Sequence, residues 1–169
     1  MRAVAVLVVT VATLVAASSA SAAAITENAK TARYSLTLTV GPSETMYTQA
    51  EVKATHPVTG EVMIGGSMSM AGSMTAMKSE VERHLELHVA ARSSGAVVTD
   101  VMPKITLTDH SSMAMAMAAT KVDAVAMQSV TKGASDRHYG NNVSLTLGDV
   151  YKVAVVVNGE KASFTFKAA

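Results

Sequence analysis

Apolar and polar residues alternate at a period of two through much of the chain, and that alternation predicts strands. Tyr34-Ser35-Leu36-Thr37-Leu38-Thr39-Val40 is the cleanest run, and Gly41-Pro42-Ser43 stops it. Residues 104–108, 143–147 and 151–157 repeat the pattern. Asn158-Gly159 separates the last of these from Glu160-Lys161-Ala162-Ser163-Phe164-Thr165-Phe166, which predicts a terminal β-hairpin closed by a two-residue turn. Gly60, Gly65, Gly66, Gly95, Gly133, Gly140 and Gly148 divide the rest at spacings too short for βαβ crossovers, so antiparallel strands are expected. The expected fold is all-β, an immunoglobulin-like antiparallel β-sandwich.

Four stretches depart from this simple pattern. Residues 80–89 fit a helix through Val81, Leu85 and Val89, or a strand through Leu85, Leu87 and Val89, and periodicity alone leaves both open. Residues 63–77 and 109–119 carry small residues and Met with few other large apolar side chains, and are expected as Met-rich loops. Asp136-Arg137-His138-Tyr139-Gly140-Asn141-Asn142-Val143 leads into a strand, and its glycine and asparagines suit a tight turn of positive φ that would fix His138 at the strand mouth.

The first residues add a location. Arg2 precedes an uncharged, mostly apolar run from Ala3 to Ala17, and Ala20-Ser21-Ala22 offers the small-x-small pattern of a signal-peptidase site. The run is short of the roughly 20 residues that span a bilayer. Residues 1–22 are therefore expected to be a cleaved signal peptide and 23–169 a single domain, periplasmic or secreted. The mature chain is long enough, and at 49% hydrophobic the sequence is apolar enough, to build one core.

Composition then removes several functions. With 14 basic and 13 acidic residues the chain does not bind nucleic acid by charge, and 4% aromatics without Trp supply few stacking platforms. The absence of Cys excludes disulfides, thiolate metal sites and a lipid anchor on cysteine. There is no nucleophile-elbow pattern and few carboxylates stand near His, so the chain is not expected to be an enzyme.

What remains is metal chemistry. On a strand, His84, Glu86 and His88 would project from one face while Leu85, Leu87 and Val89 project from the other. Strand neighbours two apart lie roughly 6.5 to 7 Å apart, so two of the three converge on one ion only if the strand curves. Ten of the twelve methionines fall between Met63 and Met127, several at spacing two: Met68 with Met70, and Met113, Met115 and Met117 after His110. Thioethers are soft ligands that suit Cu(I), although Met also fills gaps in cores.

Three stretches, His84-Leu85-Glu86, Met127 and His138-Tyr139-Gly140-Asn141-Asn142-Val143, resemble in kind and order the motifs of the periplasmic ferrous-iron transport protein family, whose copper-binding members accompany inner-membrane iron permeases. The resemblance covers about residues 80–166. It implies a strand at His84, with His84, Glu86 and His138 as ligands to a transition metal and Met127 as a soft sulfur donor. The family's further histidine near the C-terminus has no counterpart after His138, which leaves the fourth position to His88, a Met from either cluster, water or nothing.

The chain is thus expected to bind copper, Fe(II) or Mn(II), and to capture or deliver metal for an inner-membrane iron or copper permease. A homodimer is compatible with the sequence. The competing expectations are a Met-rich copper-resistance carrier or buffer using Met68, Met70, His110, Met113, Met115 and Met117, an interaction module without metal, and an oxidant-handling redox protein.

Overall fold

A computed structural model describes residues 23–65, 80–111 and 119–169. In chain order the elements are β1 (Ile25–Lys30), β2 (Tyr34–Pro42), β3 (Met46–Tyr47), helix α1 (Gln49–Thr55), β4 (Glu61–Gly65), β5 (Glu80–Ala91), β6 (Lys104–Asp109), β7 (Thr120–Val122), β8 (Val125–Ser129), β9 (His138–Thr146), β10 (Val150–Val157) and β11 (Glu160–Lys167). They form a seven-stranded sheet in the order β1-β2-β5-β9-β8-β4-β3 and a four-stranded sheet in the order β11-β10-β6-β7. The two sheets pack as a β-sandwich, as the alternation predicts.

The core lies between the sheets because each strand turns its apolar positions inward. Leu36, Leu38 and Val40 of β2 and Leu85, Leu87 and Val89 of β5 meet Ile105, Val153, Val155 and Phe164 of the smaller sheet, and all are buried. Burial of apolar area at about 25 cal/mol per Å² drives this packing. Asn158 and Gly159 take φ of 46° and 84°, the left-handed pair that a two-residue hairpin requires, and β10 pairs with β11 in full register. Arg33, immediately before β2, donates from its backbone N–H and its Nε to Glu160 and from a terminal guanidinium nitrogen to the Asn158 carbonyl, clamping the hairpin turn to the larger sheet.

Three details depart from expectation. Not every pairing is antiparallel: β3 and β4 run parallel, joined through α1. Such a short crossover closes because α1 is only seven residues long and starts on a complete capping box, with Thr48 and Glu51 satisfying each other's backbone N–H groups. The second departure concerns residues 138–143, which are strand rather than turn: β9 begins at His138, and Gly140 is not among the glycines of positive φ. What Gly140 supplies is room, since a Cβ there would stand 1.7 Å from the Leu85 carbonyl oxygen.

The ambiguous stretch around His84 is strand, and the third departure is that Met63 belongs to β4 rather than to a loop. The expected signal peptide, together with Met68, Met70, Met113, Met115 and Met117, lies outside the described residues. Among the described residues, no helix is long and apolar enough to cross a membrane.

Candidate metal centre

With Leu85 and Leu87 turned into the core, the alternation of β5 sends His84, Glu86 and His88 to the outer face of the larger sheet. Register then decides what surrounds them. On the β2 side their partners are Gly41, Thr39 and Thr37; on the β9 side, His84 faces Asn142 and Glu86 faces Gly140. Met127 of β8 pairs with His138 of β9 and, on its other side, with Met63 of β4, so all three share the face of Glu86.

His84, Glu86 and His138 each offer one ligand atom, and these atoms lie within 4.8 Å of one another. Two come from β5 and the third crosses from β9, which solves the spacing problem of a single strand. Both imidazoles are fully buried. The His84 Nδ1 lies 2.8 Å from the Asn142 Oδ1, and the orientation of that amide is set by Glu44, whose carbonyl accepts from the Asn142 Nδ2 at 2.9 Å. The His138 Nδ1 lies 2.8 Å from the Asp136 carbonyl oxygen. Both acceptors are oxygens, so each Nδ1 carries the proton and each Nε2 presents a bare lone pair. Neither Nε2 has a hydrogen-bond partner among the described residues. Leaving buried polar atoms unpaired costs free energy, and ligation by a cation would remove that cost at both.

A fourth side chain joins the cluster without having been singled out in the sequence. Glu61 of β4 is buried, its Oε2 is also unpartnered, and it lies 3.6 Å from the His138 Nε2. Burial, followed by the charges of Glu86, Asp136 and Glu44, pushes its carboxyl up to about 8. Glu86 goes the other way: burial alone would raise its carboxyl, but the hydrogen bond from His88 and the neighbouring imidazoles outweigh it and hold the group below its ordinary range. Burial also lowers the His138 pKa, against the opposing hydrogen bond to Asp136, which favours the neutral form that ligates. A polar cavity of about 260 Å³ opens alongside, lined in part by Glu44, Glu61, Glu86, Lys132 and Asp136.

The remaining sequence candidates separate. His88 stands at the rim, its Nε2 3.4 Å from the Glu86 Oε2, and is not part of the three-residue cluster. Met127 is fully buried, packed with Met63 and Val125 and placed opposite His138. His110 is exposed at the end of β6, in the other sheet.

No protein family, curated protein or solved structure matches the chain. Fold and site together define an all-β sandwich protein with a His84/Glu86/His138 cluster that could hold a metal ion.

Proposed function

We propose that the chain is an extracytoplasmic carrier that captures a transition metal, copper or ferrous iron, and delivers it to a membrane uptake system. The observation that carries this reading is the pair of buried His84 and His138 Nε2 atoms, oriented by their Nδ1 bonds and left without partners among the described residues beside Glu86. Imidazole nitrogens suit copper, and Met127 across from His138 adds a soft donor on the same face. Glu86 and Glu61 supply harder oxygens suited to Fe(II) or Mn(II). Delivery would proceed by ligand exchange, without covalent chemistry. The order of the motifs His84-Leu85-Glu86, Met127 and His138–Val143 in the sequence is what suggests an iron or copper permease as the recipient.

Elemental analysis and copper titration of the protein test this, beside a His84→Ala/His138→Ala double variant whose urea melt confirms folding. Stoichiometric binding lost in the variant is the expected result. Because a ligating imidazole must be neutral, affinity is also expected to fall below about pH 6. Binding that survives the double substitution and is indifferent to pH would move the function to the methionines, and no binding by either protein would end the metal reading.

A further inference from the structure

We propose that His88 is the loading ligand of this centre: with Glu86 it takes a partly hydrated divalent ion at the protein surface and hands it inward to His84 and His138. The inference rests on the metal-carrier reading and adds the route by which the ion arrives. His84 and His138 are fully buried and Glu61 nearly so. An ion that met these donors first would have to shed its water before it gained compensating ligands, and taking an ion out of water uncompensated is expensive. Beside these buried donors, Glu86 and His88 both reach solvent, with side chains 23% and 30% exposed.

Their geometry fits a first docking position. The His88 Nε2 and the Glu86 Oε2 stand 3.4 Å apart; an incoming ion takes the place of the Nε2 proton that bonds Glu86, that proton leaving to solvent or residing on Nδ1, and the pair then offers one nitrogen and one oxygen donor that replace two waters while the others stay on the ion. Glu86 also belongs to the inner cluster, whose ligand atoms lie within 4.8 Å of one another. A carboxylate has two oxygens, so Glu86 can hold the ion while the nitrogen ligand changes from His88 to a buried histidine. The distance of that exchange is short, since the His88 and His138 ring centroids are 5.2 Å apart. His88 itself falls outside the set of converging donors, which separates it from the resident ligands. A loading ligand lowers the barrier in both directions and leaves the equilibrium nearly unchanged.

The test is stopped-flow absorbance of Co(II) chloride uptake by the full chain, and of its removal by EDTA, for wild type and the His84→Ala, His88→Ala and His88→Gln variants. Both His88 variants are expected to retain one Co(II) per chain at an affinity within about threefold of wild type, while uptake and removal each slow about tenfold. His84→Ala is expected to lose the affinity itself. His88→Gln keeps an amide able to hydrogen-bond Glu86, so it separates ligation from mere support of that carboxylate and carries the comparison if His88→Ala does not fold. Unchanged rates in the His88 variants, with binding still lost in His84→Ala, overturn the loading role alone. A loss of affinity equal to that of His84→Ala also overturns it, by making His88 a resident ligand. No Co(II) uptake by a wild type that binds copper in the titration overturns this inference alone, and no binding of either metal overturns the carrier reading with it.

Discussion

Glu61 shows at the scale of one residue what the metal-free site costs the fold. Its carboxyl is buried, accepts no hydrogen bond at Oε2 from the described residues and has Glu86, Asp136 and Glu44 as acidic neighbours, so the folded protein holds its proton up to about pH 8. In the unfolded chain the same group releases its proton near 4.3 to 4.5. The folded pKa is therefore the higher one, and the stabilising contribution is complete below the unfolded value and lost as pH rises toward about 8. We expect the melting temperature of the protein in EDTA to decline across that window, and Glu61→Gln, which mimics the protonated form, to flatten the decline. Equal slopes for the two proteins would show that Glu61 ionises freely in the folded state. His84 and Glu86 were legible as candidates because, on a strand, alternation sets them on one face, whereas His138 was nominated only by the resemblance of its His-Tyr-Gly segment to the iron-transport motif. Glu61 was not legible, because its place depends on β4 pairing with β8 and β8 with β9, and long-range register leaves no trace in local spacing. The only local signal was an acid sharing the Met63 side of a strand whose other side carries Val62 and Ile64.

Among the elements, β5 and β9 make the site, and Gly140 governs how closely they meet. A methyl group there would strike the Leu85 carbonyl oxygen directly across the ladder, at the position where Glu86 leaves β5. Backbone cannot yield as a flexible side chain does. Gly140→Ala is expected to destabilise the protein by about 2 kcal/mol or more, read as a lower urea midpoint at unchanged slope, and to weaken metal binding by displacing Glu86. A midpoint within error of wild type would mean that the strands separate at no cost. In residues 138–143 the glycine and asparagines suggest a turn, since these residue types usually mark one. Here they serve other ends: Asn141 donates to the Asp123 carbonyl, Asn142 orients His84, and Gly140 admits β5. The long strands and the Asn158-Gly159 hairpin were legible because each buries an alternate set of apolar side chains or demands a particular turn. The β3-α1-β4 crossover was not, since a two-residue strand and a seven-residue helix with no buried residue have no apolar period to read. Its one sequence mark was the capping box of Thr48 and Glu51.

For the molecule as a whole, the decisive feature is that core and candidate site lie on opposite faces of the same sheet. Leu85 and Leu87 hold the sandwich together while His84 and Glu86, alternating with them, face outward. Substituting the histidines therefore removes ligands without opening a cavity between the sheets, and the double variant is expected to remain folded. The donors nevertheless come from β4, β5 and β9, strands separated in sequence and brought together only in the folded state. Any ion held by Glu61, Glu86, His84 and His138 binds the folded chain and has no comparable site in the unfolded one. Such binding stabilises by about 2.7 kcal/mol when free metal is a hundred times its dissociation constant. For a domain of this size that corresponds to a rise in melting temperature of about 5 to 10 °C. The rise should reverse with EDTA and vanish in the His84→Ala/His138→Ala variant. A rise that persists in the double variant would place the ion elsewhere, since the fold would then be gaining stability from donors that this outer face does not supply.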